Sequence, residues 1–95
     1  MSEVTAKYVE SIEARFGKST VKDLGDLLGV TKMSISRYRN KQKGFSDEVA
    51  IRAAELLGLD AGIVLGELYE ERASTPMERA AWRHIRELAA NAAKS

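Results

Sequence analysis

The sequence predicts an all-α fold of six helices, and three observations carry that expectation. Apolar residues recur at spacings of three and four along most of the 95-residue chain. Hydroxyl or carboxylate N-cap residues open these runs, and glycines close several of them. No segment alternates apolar and polar residues over a useful length, so no strand is expected. A chain of this size suits one small domain with a terminal extension, here divided as residues 1–72 and 73–95.

The first helix is expected over residues 2–16, with Val4, Tyr8, Val9, Ile12 and Phe16 as one wall of the core and Gly17 as its stop. The second opens at Thr20, an N-cap whose hydroxyl can accept from a first-turn amide, and lines up Val21, Leu24, Leu27 and Leu28. Gly29 then supplies the left-handed residue that a sharp turn needs. The third helix, about residues 31–40, starts at the Thr31 N-cap and points Ile35 and Tyr38 inward. Residues 40–44 (Asn-Lys-Gln-Lys-Gly) read as a basic surface loop.

Ser46 caps the fourth helix, where Asp47 and Glu48 suit the positive dipole end, and Val49, Ala53, Leu56 and Leu57 form the expected buried stripe before Gly58. Asp60 caps the fifth, which carries Ile63, Val64, Leu65 and Leu68 to an acidic end at Glu70 and Glu71. The sixth begins at Thr75-Pro76-Met77-Glu78, a capping-box sequence with proline at the first helical position, and runs to about residue 93. Met77, Ala81, Ile85, Leu88 and Ala92 form a narrow apolar seam on it. That seam either packs on its own domain or meets a twofold mate, with Met77, Ala81, Ile85 and Leu88 as the dimerisation residues. Trp82 lies off the seam and can widen it or dock on the first or fifth helix.

The segment VKDLGDLLGVTKMSISRYRN (residues 21–40) resembles the Cro/C1-type, lambda-repressor-like helix-turn-helix. Gly29 stands at that family's turn glycine, Val30 at the apolar residue after it, and Ile35 at the core position of the recognition helix. Gly25 takes the small-residue position usually held by alanine, at a cost of about 1 kcal/mol in helix propensity. Val21 departs from the family's common glutamine and cannot brace a phosphate as that side chain does. The chain also resembles small regulators of filamentous phages and prophages in its segment SISRYRNKQKGFSDEVAIRAAELLGLD. The family resemblance implies a five-helix DNA-binding domain, here with one additional C-terminal helix.

Charge is organised around the same segment. The net charge is only +1, yet residues 17–44 hold seven lysines and arginines against two aspartates. A basic face on a mildly acidic body orients a protein toward nucleic acid. By match to the family motif, Lys32, Met33, Ser36 and Arg37 are expected to face base edges in the major groove. Arg37 suits a bidentate contact to guanine, Lys32 guanine or a phosphate, Met33 a thymine methyl, and Ser36 a permissive contact. Phosphate contacts are expected from Thr20, Lys22, Thr31, Arg39, Asn40, Lys41 and Lys43. One such module makes few base contacts, so the expected partner set is double-stranded DNA and a second copy on an inverted repeat.

Other chemistries find little support. There is no cysteine, and the single histidine, His84, stands without a carboxylate or second ligand in register. No phosphate-cradling glycine loop occurs, the glycines reading as helix stops, so no catalytic residue, metal or cofactor is expected. No run reaches the length of a membrane span and no signal-peptide pattern opens the chain, so a cytoplasmic repressor is the expectation. The rival readings are an antitoxin-type regulator whose C-terminal helix holds a second protein, and a phage excisionase or architectural protein that bends DNA.

Overall fold

The computed structural model describes residues 2–93 as α1 (Glu3–Phe16), α2 (Val21–Leu28), α3 (Lys32–Arg39), α4 (Asp47–Leu57), α5 (Ala61–Arg72) and α6 (Pro76–Ala93). Residues 94 and 95 of the expected extension lie outside the described residues. Local signals set these boundaries. The side chains of Ser2, Thr20, Thr31, Ser46 and Asp60 each accept from an amide of the following first turn, satisfying donors that the helix cannot pair internally. At the other ends, the left-handed glycines at positions 17, 29 and 58 stop α1, α2 and α4.

The core joins α1 through α5. Tyr8, Val9 and Ile12 of α1 meet Leu24 and Leu28 of α2, Ile35 and Tyr38 of α3, and Val64 and Leu68 of α5. On α4 the innermost residues are Ala50, Ala53 and Ala54, whereas Val49, Leu56 and Leu57 are half-buried. Of the expected stripe, Ala53 lies in the core and Val49, Leu56 and Leu57 pack against it, while Ala50 and Ala54 join the innermost line. Phe16, expected in the core, is 37% exposed at the C-terminal end of α1, and Ile63 is only half-buried.

Phe45, at the end of a loop that reads as polar, is fully buried and meets Tyr38 edge-on, with ring centroids 5.0 Å apart. The buried Thr5 hydroxyl accepts from the Phe45 amide at 3.0 Å, which fixes the loop to α1. Glu71 serves α1 in another way. Its carboxylate accepts from the amides of Glu3 and Val4 at 2.9 and 3.1 Å and from the Ser2 hydroxyl at 2.7 Å. An anion at a helix N-terminus satisfies both the orphan amides and the dipole. Burial and the neighbouring Glu67 carboxylate push the Tyr8 hydroxyl well above its ordinary pKa.

Helix α6 packs on α5 through the most extensive helix-to-helix contact in the structure. Gly62 and Gly66, one turn apart on α5, make that approach possible. A Cβ at Gly66 would stand 2.8 Å from Arg86 Cβ and 3.1 Å from its Cα, and one at Gly62 would stand 3.0 Å from Ala89 Cβ. These two glycines lie inside a helix, so the reading of the glycines as stops fails for them. Trp82 stacks on Tyr69 at 4.6 Å, and the Tyr69 hydroxyl donates to Asp47 at the start of α4. Arg83 and Arg86 both bind the Glu70 carboxylate at 3.0 Å. The cis-docking face is therefore Trp82, Arg86 and Ala89. The apolar seam of Met77, Ala81, Ile85, Leu88 and Ala92 remains exposed.

Candidate nucleic-acid interface

Helix α3 is held from three directions, leaving its outer face uncovered. From inside, Ile35 and Tyr38 anchor it in the core, at 0% and 2% exposure. From its start, the Thr31 hydroxyl accepts from the Ser34 amide at 3.1 Å. The α2–α3 turn fixes its approach. The Val30 amide donates to the Gly25 carbonyl at 3.0 Å, and Gly29 takes the φ of +71° that the turn requires. A Cβ on Gly25 would lie 2.7 Å from the Val30 carbonyl oxygen, a backbone atom with no room to yield. Glycine at this position is thus a packing requirement, beyond the tolerance that its match to a small-residue position implied.

From its far end, α3 is braced by Arg39. Its guanidinium binds Glu13 at 2.9–3.0 Å and also donates to the Ser19 carbonyl. The side chain is expected at a phosphate on the sequence alone. Here it turns inward and ties α3 to α1 and to the segment before α2. Its partner lies 26 residues away and carries no local signal.

Lys32, Met33, Ser36 and Arg37 all lie exposed on α3, Met33 at 64%. Their spacing places them along one side of the helix, opposite the Ile35 and Tyr38 side. Among the described residues, Lys32 and Arg37 have no ion-pair partner, so their charge faces solvent. A helix about 10–12 Å wide fits the major groove of B-form DNA, where each base pair shows its own pattern of donors and acceptors.

The remaining expected phosphate contacts surround this face in sequence and are exposed. Thr20 caps α2 by accepting from the Asp23 amide at 3.1 Å, while the amides of Val21 and Lys22 have no intrahelical acceptor. Such an N-terminus with a lysine in its first turn suits an anion. Asn40 ends α3, and Lys41 follows with a left-handed φ of 62°. Lys41 lies 3.6 Å from Glu3 in a solvent-exposed pair that exchanges readily for another anion. Lys43 lies over the Tyr38 ring at 6.0 Å. Val21, where the family often has glutamine, is half-buried and packs against the core.

Elsewhere, a cleft of about 510 Å³ between α1, α5 and α6 is lined by Val4, Lys7, Glu67, Glu70, Glu71, Arg79 and Arg86. Its carboxylates are already engaged by Lys7, the arginines and the α1 amides. No α3 residue lines it. Among the described residues, no group of three or more His, Cys, Asp or Glu side chains is arranged to hold a metal ion. No described helix is long and apolar enough to cross a membrane.

A family model described as helix-turn-helix matches residues 17–64, from the glycine that ends α1 into α5. No curated protein and no solved structure matches the chain.

Proposed function

This chain belongs to the Cro/C1-type helix-turn-helix family, and from that premise we propose that it is a repressor that binds an inverted-repeat operator as a homodimer. Membership makes it a DNA-binding transcriptional regulator with a lambda-repressor-like all-α fold, to which α6 is added. The observation that carries the finer reading is the unpaired outer face of α3. Two cations, a hydroxyl and a thioether stand exposed on a helix whose inner side is locked into the core.

In this reading α3 enters the major groove, with Arg37 bidentate to guanine and Lys32 on guanine or an adjacent phosphate. Met33 meets a thymine methyl and Ser36 accepts several bases. Thr20, Lys22, Thr31, Asn40, Lys41 and Lys43 hold the flanking phosphates, while Arg39 positions the helix from behind. Residues 1–72 act as the DNA-binding domain and residues 73–95 as the extension that joins two copies. Two half-sites about 34 Å apart give the specificity that one module lacks, and the bound dimer denies polymerase its promoter. The phage resemblance points to a prophage promoter as the target, in the cytoplasm of the host.

The test is a titration of labelled DNA from upstream of the protein's own gene against random DNA, at two salt concentrations. The expected result is tight, sequence-dependent binding whose affinity falls steeply with salt, as counterion release requires. Equal affinity for both DNAs overturns the operator reading.

A further inference from the structure

We infer that α6 pairs with the α6 of a second copy in antiparallel register, about a twofold axis passing between His84 and Ile85. The inference rests on the homodimer reading above and specifies the interface. Helix α6 is apolar on two sides, and its own domain uses one of them. Trp82, Arg86 and Ala89 pack on α5, whereas Met77, Leu88 and Ile85 are 84%, 55% and 43% exposed. Ala81 and Ala92 complete the exposed stripe.

A twofold interface must be complementary to itself, so that if one residue meets a second, the second meets the first. The stripe has this property in one direction only. With the axis between His84 and Ile85, Met77 faces the partner's Ala92, Ala81 faces the partner's Leu88, and Ile85 packs beside its own copy. Each large side chain away from the axis thus meets a small one, the pattern that fills an interface without voids. A parallel pair would set Met77 and Leu88 each against itself and leave gaps at the alanines.

Charge agrees with this apposition. The stripe contains no Asp, Glu, Lys or Arg, and Arg83 and Arg86 are drawn to Glu70 on the other side of α6. Bringing two copies together therefore sets no like charges face to face. The area sets the strength. An 18-residue helix is about 27 Å long. One such seam buries less than the roughly 800 Å² per partner of a standard interface. The free dimer is accordingly weak and concentration-dependent, and it tightens when two half-sites of DNA hold both copies.

The chain has no cysteine, so introduced cysteines report alone. Under mild oxidation, Ile85→Cys is expected to form a disulfide-linked dimer. Ala81→Cys and Leu88→Cys are expected to cross-link when mixed, and poorly when each is alone. Leu88→Glu is expected to raise the dimer dissociation constant at least about a hundredfold, because each dimer contains two such leucines, while Trp82 fluorescence and the Tm of protein diluted to monomer stay unchanged. Self-linking of Ala81→Cys at the rate of the mixture means a parallel seam and overturns the register. Dimers in sedimentation that neither cross-link here nor respond to Leu88→Glu overturn the α6 interface and leave the homodimer reading standing. A monomer at high protein concentration and on inverted-repeat DNA overturns both.

Discussion

Helices α3 and α6 each carry three strongly basic side chains, Lys32, Arg37 and Arg39 on one and Arg79, Arg83 and Arg86 on the other. Their charges have different destinations. On α6 two arginines converge on Glu70 and hold the helix to α5. On α3 only Arg39 has an ion-pair partner, and Lys32 and Arg37 remain open to solvent. A basic helix by itself therefore identifies no function. What distinguishes Arg83 and Arg86 from Lys32 and Arg37 is a carboxylate within reach, and among the described residues none pairs with Lys32 or Arg37.

The comparison breaks most severely if α3 loses its support. Phe45→Ala removes a fully buried ring from beneath Tyr38, and it should lower stability by about 3–5 kcal/mol. Urea denaturation measures this directly, and a loss below about 1 kcal/mol would show that the loop residue is no part of the α3 anchor. Next in size is a change confined to the outer face. Arg37→Ala should leave urea stability unaltered while costing about 1–3 kcal/mol of discrimination between operator and random DNA. Uniform weakening on every sequence would make Arg37 a phosphate contact instead.

The α6 side is sharpened by a smaller substitution. Gly66→Ala places a methyl 2.8 Å from Arg86 Cβ and close to the α6 backbone. Overpacking costs typically about 1–3 kcal/mol, and the better helix propensity of alanine returns about 1 kcal/mol of it. The net expectation is a modest loss of stability with a changed Trp82 emission, since the Tyr69 stack lies on the displaced contact. The same change on the DNA-binding side, Gly25→Ala, meets a carbonyl oxygen and should perturb operator binding without changing Trp82 emission. Equal Trp82 responses to the two variants would mean that the regions are not separable.

These contrasts also explain what was legible in the chain. Caps and left-handed glycines act within four residues, so Thr20, Thr31, Ser46, Asp60, Gly17, Gly29 and Gly58 announce their roles locally, while Ser2, read as the first helical residue, is the cap of α1. The outward placement of Lys32, Met33, Ser36 and Arg37 follows from helical period and from Ile35 and Tyr38 facing inward. Pairwise features leave no such trace. Arg39 reads as a free cation until Glu13 is folded against it, and Glu71 reads as surface charge until the first turn of α1 lies beside it. The docking face of α6 was legible only in part: Trp82 reads as able to dock on the fifth helix, which it does, but Arg86 and Ala89 do not read so. Its side chains, Trp82, Arg86 and Ala89, look less like a seam than Met77, Ile85 and Leu88 do. They fit only because Gly62 and Gly66 remove the opposing side chains on another helix.

Acidification probes the weakest of these links. Burial raises the Glu70 pKa, but the hydrogen bonds from Arg83 and Arg86 and their charges outweigh it, so the carboxyl titrates below its ordinary value. A carboxylate with a depressed folded pKa contributes stability that is fully present above the unfolded value near pH 4.3 and is lost as pH falls through the folded value. Docking of α6 should therefore loosen as pH falls below the ordinary glutamate range, seen as a change in Trp82 emission. Partly exposed pairs of this kind are worth about 0.2–1 kcal/mol each, so the step is small and shrinks with added salt. Glu70→Gln should abolish it and hold the emission near its acid-limit value at neutral pH. An acid step that survives Glu70→Gln would show that the pairing of Glu70 with Arg83 and Arg86 is not what loosens α6.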